Sequence, residues 1–270
     1  METTDIIYGT AWKENDTERL VTLALEAGFR GIDTANQRKH YHEAGVGLAL
    51  RAAFAKGLRR GEVFVQSKFT FVGGQDSRVP YDPQAPIATQ VAQSHASSLE
   101  HLGLTSLDSY VLHGPWRRGV WSPEDAEAWS AMEALREAGG VGQLGVSNVS
   151  LEQLQGLCAG ARVAPAWVQN RCYARTGWDA DVRQFCHKHS VRYQGFSLLT
   201  ANPAVLASRP VQAMAKRHGK TPAQLVFRFT RQVGMVPLIG TADPEHMRDD
   251  LAASGFTLSP SELAQLDRAW

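Results

Sequence analysis

Apolar and polar residues alternate along this chain in two periods, and the two periods take turns. Short apolar bursts at 5–9 (DIIYG), 30–34 (RGIDT), 63–68 (VFVQSK) and 107–113 (LDSYVLH) read as strands. The burst at 63–68 is nearly all apolar, as expected of a strand covered on both faces. Between the bursts, apolar residues recur at helical spacing. Leu20, Leu23, Ala24 and Ala27 mark a first helix, with Asn15 or Asp16 as its cap and Gly28 as its stop. Helices are expected over 43–57, 89–102 and 123–138, with a polar Gly- and Pro-rich loop over 72–87.

The second half repeats the scheme. Strands at 142–148, 165–170, 191–197 and 235–240 are followed by helices near 151–159, 178–189, 208–218, 221–232 and 244–253. Eight strand–helix units without a linker or composition break predict one domain over 1–270, an α/β fold closed as a (β/α)8 TIM barrel. A doubly wound open sheet is the alternative. The segment Gly140-Val141-Gly142-Gln143-Leu144-Gly145 matches G-x-G-x-x-G, but it follows a helical stretch and opens a strand. A dinucleotide fingerprint needs the reverse context, so these glycines read as a helix stop and a tight turn.

Composition narrows the class further. A net charge of +1 gives no general surface for nucleic acid, and no apolar run is long enough to span a membrane. The opening METTDIIYGT lacks the features of a signal peptide. Cys158, Cys172 and Cys186 are odd in number and lack CxxC spacing, which fits reduced thiols in a cytoplasmic protein. The HxH pairs His40/His42 and His187/His189 have no further ligands, so no metal site is expected. Oligomeric state stays open.

Barrel active sites gather at the carboxyl ends of strands. The polar residues expected there are Asp33 and Tyr41 after strand 2, Lys68 ending strand 3, His113 ending strand 4, and Ser147-Asn148 ending strand 5. Gln169-Asn170, Phe196-Ser197 and Gly240-Thr241 end strands 6, 7 and 8. Singly, Asp33 reads equally well as a cap, and Tyr41 or His113 as a packing residue. Lysine at the end of a buried strand must be paired or functional. Together they form an acid–base set. An ammonium beside a tyrosine favours the phenolate and lowers its pKa, an aspartate fixes the lysine, and a histidine orients a carbonyl. Such a set polarises a carbonyl but supplies no electrons, so hydride must come from a cofactor.

The chain resembles an aldo-keto reductase over nearly its whole length. The resemblance rests on GFRGIDTA at 28–35, Val46-Gly47 with Ala49-Leu50, Lys68 in VQSKFT, His113 in SYVLHGP and GVSN at 145–148. Gln169, Phe196-Ser197, GKTPAQ at 219–224 and VPLIGT at 236–241 continue it. It implies a catalytic tetrad of Asp33, Tyr41, Lys68 and His113, and a nicotinamide amide held by Ser147, Asn148 and Gln169. Phe196 takes the place of a stacking aromatic that is usually tyrosine. Ser197, Leu199, Gly240, Thr241, His246, Arg248, Asp249 and Asp250 complete the implied cofactor set.

Three departures from the family pattern stand out. The family's tyrosine usually lies five residues after the aspartate, which here is Arg38; Tyr41 lies eight after it and is aligned by the following Glu43 and Val46-Gly47, with 36–40 as an enlarged loop. The start is too short for the usual bottom hairpin, and the chain stops at Trp270 without a long C-terminal substrate loop, implying an open pocket. The lysine and arginine that often bind the NADPH 2′-phosphate correspond to Gly240 and His246. Thr241, Arg248 and the helix N-terminus near Pro244 are left to bind a phosphate. NADPH is the expected cofactor, NADH the alternative. Trp12, Trp116 and Trp121 are expected at the substrate entrance or covering the core rim. The expected activity is reduction of a small aldehyde or ketone, with Tyr41 as general acid. A Schiff-base lyase acting through Lys68 and a catalytically silent nicotinamide-binding regulator are the competing readings.

Overall fold

Every strand expected from the alternation forms, and hydrogen bonding joins the eight in chain order into a closed parallel barrel. The structure, a computed structural model, describes residues 5–268. Part of the opening segment read for a leader and the terminal Trp270 lie outside the described residues. The strands are β1 Ile7–Gly9, β2 Gly31–Asp33, β3 Phe64–Phe69, β4 Leu107–Leu112, β5 Val141–Ser147, β6 Trp167–Arg171, β7 Arg192–Phe196 and β8 Met235–Ile239. Closure comes from β1 against β8, with Ile7 opposite Leu238 and Tyr8 opposite Ile239. All six residues of β3 are buried, because helices cover one face and the barrel interior the other.

Helices α1 Thr17–Ala27, α2 Glu43–Ala55, α3 Ile87–Leu102, α4 Pro123–Glu137 and α5 Leu151–Gly160 follow the first five strands. Then come α6 Ala180–Lys188, α7 Pro203–Ala207, α8 Arg209–His218, α9 Pro222–Gln232, α10 Pro244–Ala252 and α11 Pro260–Asp267. Gly28 ends α1 in the left-handed region, φ 116°, which glycine adopts without steric cost. Asp16 precedes α1 but does not cap it with its side chain; its carboxylate instead pairs with Arg19 at 3.3 Å. The helix expected from 178 starts at Ala180, because a tight 3₁₀ stretch, Ala174–Asp179, precedes it with Trp178 and Asp179 both at positive φ. Two further helices, α7 and α11, lack a strong apolar period in the sequence. Trp178 anchors α11 by donating from its indole to the Leu266 carbonyl at 2.8 Å.

The barrel interior is layered by the period-two direction of strand side chains. An apolar layer of Ile7, Phe64, Trp167 and Val236 packs together. Above it lies a polar layer of Asp33, Gln66, Gln169 and Gln194, hydrogen-bonded to one another. The larger apolar core fills the space between strands and helices. The rejected fingerprint glycines serve packing: a Cβ on Gly145 would come within 3.0 Å of both Trp167 and Val111.

Candidate active site

Asp33 ends β2 pointing into the barrel, 1% exposed. A carboxylate so buried needs donors, and it has three. Lys68 Nζ donates to Oδ2 at 2.6 Å, while Gln66 Nε2 and Gln169 Nε2 donate to Oδ1 at 2.7 and 3.0 Å. Lys68, two residues after Gln66 on β3 and fully buried, also donates to the Thr34 carbonyl at 2.8 Å. Burial pulls the Lys68 pKa down while the Asp33 carboxylate works against that pull.

Tyr41 reaches this pair from the enlarged loop. That loop is fixed on three sides. Asn36 Nδ2 donates to the Ser94 carbonyl at 2.9 Å, Gln37 Nε2 to the Gly74 carbonyl at 2.6 Å, and the His40 carbonyl accepts from Trp12 N at 2.7 Å. Lys68 Nζ lies 5.0 Å from the centre of the Tyr41 ring, and the His113 ring meets it edge-on at 5.7 Å. Arg38, at the family's usual spacing, lines a cavity of about 360 Å³ together with Tyr41, His42, Arg78 and His101.

Burial, reinforced by the Asp33 carboxylate, pushes the Tyr41 pKa up rather than down. The expected lowering fails because the ammonium lies against the ring and is taken up by Asp33 and Thr34. Tyr41 is therefore held as a neutral phenol.

His113 follows β4, its backbone N–H donating to the Phe69 carbonyl at 2.9 Å. Its Nδ1 is 2.7 Å from the Thr70 hydroxyl. Burial first, then the charge of Lys68, holds its pKa well below the ordinary histidine value, so the ring is neutral. In the tautomer where Thr70 donates to Nδ1, the remaining proton sits on Nε2.

Ser147 Oγ donates to the Gln169 carbonyl at 2.7 Å. Asn148, left-handed at φ 57°, donates from Nδ2 to the His113 carbonyl at 2.8 Å and to Ser147 Oγ at 3.1 Å. Ser197 turns the end of β7 in the same way, φ 56°. The Arg171 guanidinium lies 5.4 Å from the Phe196 ring. Gly240 receives a hydrogen bond at its carbonyl from Lys13 Nζ. Leu199, Thr241, His246, Asp249 and Asp250 line a second, larger cavity of about 570 Å³. Ser197, Gly240 and Arg248 stand outside that lining.

Trp12 is 71% exposed and lies 4.0 Å from the His40 ring. Trp116, 38% exposed, meets Phe71 edge-on at 5.0 Å. Trp121 sits elsewhere, edge-on to Trp129 and over Gly156 of α5, as part of the outer packing. Sequence reasoning missed Gln66, Gln194, Thr70 and Lys13. The first three had a signal: each lies two residues from Lys68 or Phe196, on the same inward face.

The free acceptors suit a nicotinamide dinucleotide. Among the described residues, no protein group donates to Gln169 Oε1 or Asn148 Oδ1, and the larger cavity has apolar walls with acceptors at its edge. Among those residues, no group of three His, Cys, Asp or Glu is placed to hold a metal ion, and no helix is long and apolar enough to cross a membrane.

The fold is a closed (β/α)8 barrel with polar groups at the carboxyl ends of its strands. The model of the Aldo/keto reductase family matches residues 5–270, and the chain belongs to that family. An aldo-keto reductase of Mycolicibacterium smegmatis is 30% identical over 254 residues, covering 94% of this chain and 82% of the relative. The 2,5-diketo-D-gluconic acid reductase B of a Corynebacterium species is 30% identical over 244 residues, covering 90% of this chain and 80% of its own length. In fold, the chain is similar to an aldo-keto reductase from a Medee basin deep-sea metagenome library. The TM-score is 0.84 at 24% identity, over 100% of this chain and 92% of that one.

Proposed function

We propose that this protein reduces a small aldehyde or ketone to an alcohol using NAD(P)H, with Tyr41 as general acid. The observation that carries this reading is the convergence of Asp33, Tyr41, Lys68 and His113 at the carboxyl ends of β2, β3 and β4. A reduced nicotinamide dinucleotide, when bound, supplies the hydride that no side chain can. Ser147, Asn148 and Gln169 would hold its carboxamide, with Phe196 beside the ring. The family resemblance points to NADPH, with NADH as the alternative.

Tyr41 donates its phenolic proton to the carbonyl oxygen as negative charge gathers there. A phenol whose pKa is raised holds that proton across the whole working pH range. His113 Nε2 orients the same oxygen, and the Lys68 ammonium, held by Asp33, lies against the Tyr41 ring. Trp12 and Trp116 flank the approach. The free thiols Cys158, Cys172 and Cys186 fit a reducing compartment such as the cytoplasm. A Schiff-base role for Lys68 is poorly supported, because its Nζ is fully buried and bonded to Asp33 and Thr34.

Tyr41→Phe is expected to lower kcat by roughly 10²-fold or more while NAD(P)H binding, followed by fluorescence, stays near wild type. Normal turnover in that variant would remove Tyr41 from the mechanism. Loss confined to Arg38→Ala would move the role to Arg38.

A further inference from the structure

The larger cavity opens between the segment after β7, the start of α9 and α10. Leu199, Pro203, Leu206 and Pro222 give it apolar walls. Its titratable lining groups are His246, Asp249 and Asp250, and no lysine or arginine is among them. Asp250 is 5% exposed, and among the described residues its carboxyl group has neither a hydrogen-bond donor nor an ion-pair partner. Elsewhere buried acids are satisfied, as Asp33 is by Lys68 and two glutamines. Burial, opposed by His246 and reinforced by Asp249, pushes its pKa up to about 7, so the ionised form is costly there. A ligand that brings hydrogen-bond donors would relieve that cost.

A second observation concerns anions. The N-terminus of α10 would ordinarily attract phosphate through its free N–H groups. Here Asp243 Oδ1 already accepts from Glu245 N at 2.7 Å and His246 N at 3.4 Å. Thr241 Oγ1 is engaged as well, accepting from Asp243 N at 3.2 Å. Arg248 is exposed outside the cavity lining, and Lys13 is held at the Gly240 carbonyl. Asp243 thus occupies the α10 N-terminus, where the resemblance expects a 2′-phosphate, and Asp249 and Asp250 line the larger cavity.

We infer that this chain selects NADH over NADPH, with Asp249 and Asp250 setting the preference and Asp243 closing the α10 N-terminus to phosphate. The inference rests on the cofactor reading above. The ribose hydroxyls and adenine amine of NADH are donors that an acceptor-rich pocket can use. NADPH replaces one hydroxyl by a dianion, which meets like charge and a capped helix. A carboxylate that takes the ribose 2′-hydroxyl is a general means of favouring NADH, and an arginine of favouring NADPH.

Direct titration of the full chain with NADH and NADPH, read by tryptophan fluorescence, tests this without turnover. NADH is expected to bind about tenfold or more tightly, the scale of one like-charge contact at a partly buried site. Asp250→Asn and Asp243→Ser, the second retaining an N-cap, are each expected to narrow that ratio by several-fold through tighter NADPH binding. Equal or tighter NADPH binding by the wild type overturns the inference and leaves the reductase reading standing, as does a ratio that neither variant moves. Binding of neither cofactor by a protein whose circular dichroism shows it folded overturns both.

Discussion

Lys68 is a lysine with no solvent exposure, and its environment explains how that is tolerated. Asp33 and the Thr34 carbonyl take two of its three donors, while the third side faces the Tyr41 ring. His113 is similarly set by one neighbour. Thr70→Val removes the partner of Nδ1 and frees the tautomer, so kcat is expected to fall about tenfold, with recovery in Thr70→Ser. Stopped-flow turnover with cofactor affinity measured alongside distinguishes this from a binding defect.

Asp250 gives a prediction in pH. Its folded pKa, about 7, lies above the ordinary carboxylate value. The folded state therefore holds a proton that the unfolded state releases between about pH 4 and 7, and stability falls as pH rises through that window. Asp250→Asn removes the loss. Chemical denaturation should find the variant more stable than wild type at pH 8, by a few kcal/mol at most, and the two alike near pH 4.

At the scale of elements, the enlarged loop is the decisive segment. Its extra residues do not displace the tyrosine, because hydrogen bonds to α3, to the segment after β3 and to Trp12 hold both its ends. Lys39 is exposed, and Arg38 is half-buried in the cavity that Tyr41 also lines. The Val46-Gly47 pair has an equally local cause. A Cβ on Gly47 would fall 2.1 Å from the His101 carbonyl oxygen, so α2 and α3 touch through that glycine. Gly47→Ala is expected to destabilise the protein by about 1–3 kcal/mol or more, seen as a lowered thermal unfolding midpoint. Because α2 begins two residues after Tyr41, turnover should suffer with it.

At the scale of the whole molecule, the polar layer couples four strands across the barrel axis. Asp33 comes from β2, Gln66 from β3, Gln169 from β6 and Gln194 from β7. Removing either partner of the Asp33–Lys68 pair leaves a buried charge alone. Asp33→Leu and Lys68→Met should each cost about 3–5 kcal/mol, and the double variant Asp33→Leu/Lys68→Met less than the two together. Urea denaturation of the four proteins measures that coupling.

The alternation of apolar bursts and helical periods determined the order of the elements and the closed barrel, because covered parallel strands and amphipathic helices leave a strong local signature. It also determined which strand ends carry polar groups, since Lys68 and His113 close apolar runs where nothing about packing asks for them. The short helices α7 and α11 lacked that signature; their stability comes from docking, as with Trp178 on Leu266. What only the tertiary structure decided is contact across the barrel. Neighbours remote in the chain fixed the raised pKa of Tyr41 and the glutamine support of Asp33. They also brought Leu199 and Pro222 beside Asp249 and Asp250 in the larger cavity. Burial and electrostatics depend on distances that a sequence does not contain.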